Sequence, residues 1–116
     1  MAKVFLSHPS LENDPYMKAA VEAIVKYFKP IEGYLFGSQA RGQAGPNSDY
    51  DFLIVVKRQV ERERRSKFHT VRRKAGLTKA IDVVAFTKKG FESRLAVKGS
   101  LPATVRDEGT LLYAAA

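Results

Sequence analysis

The sequence contains no cysteine, and histidine is almost as scarce. Without cysteine there is no disulfide framework and no metal site built on thiolates. Only His8 and His69 are present, far apart in the sequence, which argues against a histidine-rich zinc site. No apolar run approaches the roughly 18 residues of a membrane span, and the N-terminus has no signal-peptide pattern. We therefore expect a cytoplasmic protein that makes no contact with a membrane.

The length and composition predict one small globular domain. The chain has 116 residues, and 45% of them are hydrophobic, a level typical of a folded protein rather than a disordered tail. The sequence has no internal repeat, no low-complexity tract and no linker-like stretch. We therefore expect residues 1–116 to form a single domain.

Positive charge is concentrated in one segment. The net charge is +8, and residues 57–74 contain nine lysines and arginines but only two acids, Glu61 and Glu63. Such a segment would attract nucleic acid, polyphosphate or an acidic protein surface. It is also typical of a solvated helix face, because the pairs Glu61–Arg65 and Glu63–Lys67 have the spacing that supports an exposed helix. We favour the solvated helix face, and nucleic acid is the less favoured partner.

Hydrophobic periodicity predicts several helices and strands. Asp14-Pro15 is typical of a helix start, and Pro30 ends that helix. Its apolar residues recur at helical spacing and are Met17, Ala20, Val21, Ile24, Val25 and Phe28. Strands are predicted at 31–36, 51–56, 80–86 and 110–113. Helices are predicted at 60–75, 88–98 and 101–107.

Two of these elements carry more specific expectations. The strand at 51–56 is apolar on both faces, which is typical of a covered central strand. The helix at 60–75 is expected to bury a stripe consisting of Val60, Phe68, Val71 and Ala75. A glycine directly after it, Gly76, is expected to end the helix.

A motif of small and acidic residues precedes the strand at 51–56. Gly37-Ser38 forms a turn after one apolar run, ten residues intervene, and Asp49-Tyr50-Asp51 opens the next run. Because side chains alternate along a strand, Asp49 and Asp51 are expected on one face. A third acid, Asp82, lies inside a later apolar run, where an unpaired charge is costly. We predict that the three carboxylates converge beside the glycine turn.

Three carboxylates beside a glycine turn are suited to holding divalent metal and a nucleoside triphosphate together. Magnesium commonly takes one or two carboxylates plus substrate oxygens, and two such ions roughly 3.5–4 Å apart support phosphoryl transfer. Gly37 permits close approach of a phosphate, Ser38 offers a hydroxyl and a backbone N–H at a helix start, and Arg41 lies one turn further along. The predicted catalytic and metal-binding residues are Asp49, Asp51 and Asp82, and the predicted nucleotide-binding residues are Gly37, Ser38 and Arg41.

Residues 36–56 resemble the signature of the DNA polymerase beta-like nucleotidyltransferase superfamily. Its small members carry a Gly-Ser pair, a ten-residue spacer, Asp-x-Asp and a third Asp on a later strand, as do Gly37-Ser38, Asp49, Asp51 and Asp82 here. The closing segment, residues 92–113, also resembles the end of the small stand-alone domains. These are the minimal nucleotidyltransferases, many of them antitoxins encoded beside a helical toxin of the HEPN class. The resemblance covers residues 15–113.

The resemblance implies an α/β (α+β) fold in which a small mixed sheet is flanked by helices. It also implies transfer of AMP, or another nucleoside monophosphate, from ATP or another triphosphate to a hydroxyl, with two Mg²⁺ ions. On this basis Asp49 and Asp51 would hold both metals and the triphosphate. Asp82 would complete the metal facing the acceptor and assist its deprotonation, while Gly37 and Ser38 would bind the β- and γ-phosphates.

The acceptor is less directly implied than the chemistry. Larger members carry extra domains for template or acceptor, and we expect no room for one here, so a tyrosine of a cognate HEPN-type toxin is the predicted acceptor. One alternative is an antitoxin that neutralises its partner by contact, with nucleotide as a structural ligand. Another is a nucleotidyltransferase acting on a small molecule or an RNA end, which only the basic segment supports. The intact set of acids favours the enzyme.

One further motif match is set aside. Arg64 and His69 fit the Arg-x4–6-His ribonuclease motif of HEPN toxins. Those proteins are all-helical bundles, whereas this sequence predicts at least three strands. We therefore treat the match as a coincidence.

Overall fold

The structure, a computed structural model, describes residues 3–5, 13–37 and 49–115 of the chain. These residues form a five-stranded sheet with helices packed on both faces. The strands are β1 (Lys3–Phe5), β2 (Glu32–Phe36), β3 (Tyr50–Val56), β4 (Ile81–Thr87) and β5 (Thr110–Ala115). The helices are α1 (Pro15–Phe28), α2 (Arg62–Lys74), α3 (Lys88–Arg94) and α4 (Leu101–Glu108).

The sheet is mixed. Its strand order is β1-β5-β2-β3-β4, and the neighbours are antiparallel except for β3 and β4, which run parallel. Helix α2 makes the crossover between these two parallel strands. The mixed sheet flanked by helices that the sequence resemblance implied is confirmed. In the described ranges, no helix is long and apolar enough to cross a bilayer.

Helix α1 forms as its sequence pattern predicts. The Asp14 carboxylate accepts a hydrogen bond from the backbone N–H of Met17 at 3.0 Å and so caps the helix start, with Pro15 at the first turn. The six apolar residues that recur at helical spacing are all buried. The helix ends at Phe28 and is capped by Lys29, whose φ of 51° is left-handed, just before Pro30. This helix covers one face of the sheet.

Strand β3 is covered on both faces, which explains why it is almost uniformly apolar. Phe52 and Ile54 belong to the core shared with α1 and α2. Leu53 and Val55 point the other way and pack with Phe91 of α3 and other residues on that side. Packing on both faces therefore fixes the central strand that carries the Asp-x-Asp motif, without help from a ligand.

The predicted buried stripe of α2 is wrong in part. Phe68 is buried, but Val71 is 38% exposed and Ala75 is exposed, and the second buried residue of the helix is Arg72. The Arg72 guanidinium donates to the carbonyl oxygens of Leu77 and Lys79 and to Nδ1 of His69. Because the chain folds back after the helix, its carbonyls compensate the cost of burying this charge.

The segment after β4 forms two short helices rather than one long helix followed by a short piece. Thr87 caps α3 as its sequence suggests, accepting from the N–H of Gly90 at 3.0 Å. Helix α3 ends at Arg94, not at residue 98 as predicted. The Ser100 hydroxyl donates to the carbonyl of Arg94 and accepts from the N–H of Ala103, so the same side chain closes α3 and starts α4.

Candidate active site

Two of the predicted acids lie side by side at the start of the parallel strand pair. Asp51 of β3 is in register with Asp82 of β4 on one side and with Phe36 of β2 on the other. Along a strand, side chains two or four residues apart lie on the same face. Asp51 therefore shares a face with Leu53, and Asp82 with Phe86, so both carboxylates point to the face that packs α3 and α4. The backbone N–H of Tyr50 donates to the carbonyl of Ala80 at 3.0 Å, which fixes this register at the strand starts.

The glycine turn lies directly against the first of these carboxylates. Gly37 follows β2 with φ of 77°, a left-handed conformation that glycine adopts without steric cost. A Cβ atom added at Gly37 would lie 2.5 Å from Oδ2 of Asp51. Two properties of this position therefore favour glycine. One is its left-handed backbone angle, and the other is that the Asp51 carboxylate occupies the space of a Cβ atom.

The acids are coupled electrostatically. Partial burial raises the pKa of Asp51, and the neighbouring charges of Asp82 and Asp49 raise it further, as does a hydrogen bond between the Asp51 and Asp82 side chains. Clustered carboxylates that repel one another in this way are stabilised by a divalent cation placed between them. The site therefore has the charge that a bound metal would compensate.

The third predicted acid takes a different position. Asp49 lies just before β3 and is exposed, although its charge acts on Asp51. Within residues 13–37 and 49–115, no three histidine or acidic side chains form a complete metal-binding group. The Asp51–Asp82 pair still fits magnesium, because that ion commonly takes one or two carboxylates and fills its other positions with water and substrate oxygens.

Two predicted nucleotide-binding residues lie outside the described residues. Ser38 and Arg41 both fall in the segment 38–48, as does the helix start expected at Ser38. Of the three predicted nucleotide-binding residues, the structure therefore places Gly37, beside Asp51.

Tyr50 anchors the acid-bearing strand and was not identified from the sequence. It lies between Asp49 and Asp51 but points to the opposite face, where it is 3% exposed. Its hydroxyl donates to Oδ2 of Asp14 at 2.7 Å, and its ring lies 5.2 Å from that of Tyr16. Burial and the hydrogen bond to Asp14 raise the pKa of Tyr50, so the hydroxyl stays a donor. The sequence signal was present: an aromatic residue occupies the middle of the Asp-x-Asp motif.

A cleft of about 450 Å³ connects the acid pair with the basic helix. The sheet contributes Asp51 and Asp82 to its lining, and α2 contributes Arg62, Arg65, Ser66 and His69. The basic segment, which the sequence suggested was a solvated helix face, is exposed over most of its length and also forms one wall of this cleft.

The arginine of the HEPN-like motif match lies elsewhere. Arg64 packs its guanidinium over the ring of Tyr27, 5.2 Å from the ring centroid, and donates to the Tyr27 carbonyl at 2.6 Å. His69 lines the cleft with the acids instead. Since Arg64 is held against α1 and the fold contains a five-stranded sheet, the pair does not form the ribonuclease site of an all-helical bundle.

Replacing Asp51 with asparagine is expected to raise the melting temperature of the metal-free protein at neutral pH. The folded pKa of Asp51 is raised above the ordinary value of 3.8, so the native state holds this proton more tightly than the unfolded chain. Stability is therefore lost as the pH rises through the interval between the unfolded and folded pKa values. Asparagine removes that loss, and the gain should be a few degrees because the carboxyl is partly exposed and screened.

Thermal unfolding in EDTA at about pH 3 and about pH 7 checks this expectation, because the loss is integrated between those limits. The variant should match the parent protein at the lower pH and exceed it at the higher one. Asp107→Asn, at an exposed acid of α4, is the control and should show no such difference. Equal melting temperatures for parent and Asp51→Asn at both pH values would contradict the coupling described here.

Solved structures of several proteins share this fold. A toxin–antitoxin complex with AMP-PNP superposes with a TM-score of 0.62 at 19% sequence identity, covering 84% of this chain and 72% of that one. A variant of the toxin–antitoxin pair MntA–HpeT gives 0.60 at 17% identity, with the same coverage. A candidate nucleotidyltransferase of Sulfolobus solfataricus gives 0.51 at 22% identity, covering 91% and 87%. At these identities the likeness shows the fold alone.

The sequence itself matches a known family. No protein with a curated description matches it. The family described as nucleotidyltransferase domain matches over residues 17–109, a span that contains Gly37, Asp51 and Asp82. The polymerase beta-like fold that the sequence resemblance implied is thereby confirmed. Because the match covers most of the chain, the protein belongs to the nucleotidyltransferase domain family.

Proposed function

We propose that this protein transfers AMP, or another nucleoside monophosphate, from a nucleoside triphosphate to a hydroxyl on a partner protein, and so acts as an antitoxin. The observation that carries the proposal is the Asp51–Asp82 carboxylate pair, in register on adjacent strands with Gly37 packed against Asp51. A protein that only bound its partner would have no use for two coupled acids beside a turn of this kind. The family membership supports the transferase reaction.

In the proposed reaction, an acceptor hydroxyl oxygen forms a bond to the α-phosphorus of the triphosphate. The bond from that phosphorus to the oxygen bridging to the β-phosphate breaks, and pyrophosphate leaves. The hydroxyl proton passes toward the Asp82 carboxylate. Asp51 and Asp82, with Asp49 at the strand start, would hold two Mg²⁺ ions, which when bound neutralise the triphosphate and the charge that develops on it.

The remaining roles concern positioning. Gly37 would let the β- and γ-phosphates approach the backbone, since no side chain separates them from the turn. Ser38 and Arg41, which follow Gly37 in the sequence, would bind the same phosphates. Tyr50 would hold the strand that carries the acids, through its hydrogen bond to Asp14.

The acceptor is proposed to be a tyrosine of a cognate HEPN-type toxin, a small helical protein, in the cytoplasm. The support is the shared fold with the chains of two toxin–antitoxin complexes, one of them solved with AMP-PNP. That likeness is also compatible with neutralisation by contact alone. The experiment must therefore separate transfer from binding.

Incubation of the protein with the product of the neighbouring gene and Mg-ATP is expected to add one or more units of AMP mass to that product. Intact-mass spectrometry reads the modification, and toxin activity is assayed in parallel. Mg-ATP at a hundredfold excess over its Kd should also stabilise the protein by about 2.7 kcal/mol.

The Asp51→Asn/Asp82→Asn double variant is the matched control for this reaction. It should bind the partner and leave its mass and its activity unchanged. If the double variant neutralises the partner as well as the parent protein does, and no mass is added by either, contact alone is the mechanism. AMP found on RNA or on a small molecule would show that the acceptor is not a protein.

A further inference from the structure

The cleft beside the acid pair follows the outer edge of β4. This strand is last in the sheet and, among the described strands, pairs with β3 alone. Val83 and Val84 both line the cleft although their side chains point to opposite faces of the sheet. A cleft that reaches both residues touches the strand from its edge. The backbone N–H and C=O groups on that edge therefore face the cleft.

The opposite wall of the cleft is a row of hydrogen-bond donors on α2. Arg62, Arg65 and His69 are spaced three and four residues apart, so they lie along one side of the helix, and all three are exposed. Within the described residues, neither arginine forms an ion pair with a carboxylate, and the pair predicted between Glu61 and Arg65 is not formed.

Three other cations of this helix have structural contacts. Arg64 packs on Tyr27, Arg72 is buried against loop carbonyls, and Lys67 pairs with Glu63 at 3.2 Å. His69 accepts at Nδ1 from Arg72, so in the neutral ring the proton is on Nε2, which remains a donor. The row is thus a set of donors that the fold itself leaves unused.

We propose that this cleft binds the acceptor as an extended, acidic polypeptide segment that adds to the edge of β4 and whose carboxylates contact Arg62, Arg65 and His69. The proposal rests on the proposed function, since it places the acceptor hydroxyl at the Asp82 end of the same cleft. Main-chain hydrogen bonds to β4 hold the segment, and alternate side chains face α2. An RNA strand has the charge for the row but no alternating amide donors and acceptors for the strand edge.

The test uses short fluorescent peptides, so that it does not depend on transfer. One peptide alternates glutamate and valine around a single tyrosine, a second has lysine in place of glutamate, and a third is the glutamate peptide with alternate backbone nitrogens methylated. The parent protein should bind the first and lose at least about tenfold in affinity for each of the others. Equal binding of the methylated peptide would overturn the strand-addition geometry.

Charge reversal locates the site on the protein. Arg62→Glu/Arg65→Glu should weaken binding of the glutamate peptide at least about tenfold, most strongly at low salt. The control Arg73→Glu/Lys74→Glu changes the same charge on the same helix, at residues that do not line the cleft, and should bind nearly as the parent does. Equal losses in both variants would mean that only net charge matters, and the proposal would be wrong.

Two further measurements separate the outcomes. If the Arg62→Glu/Arg65→Glu variant loses Mg-ATP affinity instead, the row serves the triphosphate, and the acceptor assignment fails. If a uridine oligonucleotide of equal charge binds more tightly than the glutamate peptide, with the same dependence on Arg62 and Arg65, the ligand of the cleft is RNA and the peptide proposal is wrong. If the peptide binds as expected but no partner accepts AMP, the proposed function fails while the docking site stands.

Discussion

Replacing Asp51 with asparagine is expected to lower the rate of nucleotide transfer by at least about 10³-fold, or roughly 4 kcal/mol of transition-state stabilisation. The fold holds Asp51 between Phe36 and Asp82 in register and against Gly37. Asparagine keeps the shape of the side chain but removes the charge that a magnesium ion requires of it. The fold should remain intact, with the higher melting temperature described above.

Single-turnover transfer of labelled AMP to the partner protein measures this effect. The exposed acid Asp107 provides the control, since Asp107→Asn removes one negative charge at a residue that does not line the cleft and should transfer at the parent rate. Asp82→Asn is informative in a different way. If Asp82 acts at the acceptor, this variant should keep most of its affinity for Mg-ATP while losing turnover. Transfer at the parent rate by Asp51→Asn would remove the carboxylate pair from the mechanism.

The parts of this fold that follow from local chemistry were predictable from the sequence. The cap at Asp14 and the apolar spacing of α1 are contained within one helix, so the start and the buried face of the helix follow from nearby residues alone. The same holds for β3, whose apolar run on both faces indicates a strand with helices above and below it. The adjacency of Asp51 and Asp82 depends on a parallel pairing over a long crossover. The sequence predicted that these carboxylates converge, but it did not give the register that pairs them.

The features that were not predicted correctly depend on contacts between residues of different elements. Arg72 belongs to the basic segment that was predicted to be a solvated helix face, yet the loop after α2 supplies two carbonyls that bind it. Val71, directly before Arg72 in the helix, was predicted in the core and is 38% exposed. Tyr50 fits the pattern of a buried strand residue, but it anchors the strand through a hydrogen bond to Asp14, which is distant in the sequence. Periodicity describes one element at a time and carries no information about such partners.

The basic segment shows how one composition serves several purposes. Its charge suggested either a solvated face or a partner surface. In the structure, some of its cations have structural contacts and others line the cleft. Arg64 and Arg72 stabilise the fold, and Lys67 pairs within the helix. Arg62 and Arg65 line the cleft with the acids. The net charge of a segment therefore does not report how many of its cations are available to a ligand. Of these cations, only Arg62 and Arg65 enter the docking proposal, together with His69.

Replacing Gly37 with alanine is expected to reduce transfer by at least about 100-fold, because small misplacements of reacting groups cost this much. Two separate effects act at this residue. The φ of 77° costs an alanine about 1–2 kcal/mol, and the added methyl group would lie 2.5 Å from Oδ2 of Asp51. Either the turn or the carboxylate must move, and both belong to the proposed site.

Gly76→Ala separates the two effects. Gly76 also has a left-handed backbone, with φ of 83°, but an added Cβ there would meet no atom within 4 Å. Both variants should therefore lose similar stability from backbone strain, measured by chemical denaturation, while only Gly37→Ala loses transfer and Mg-ATP affinity. If Gly76→Ala impaired transfer equally, the loss would reflect stability alone. If Gly37→Ala kept the parent rate, the contact between the turn and Asp51 would have no part in holding the nucleotide.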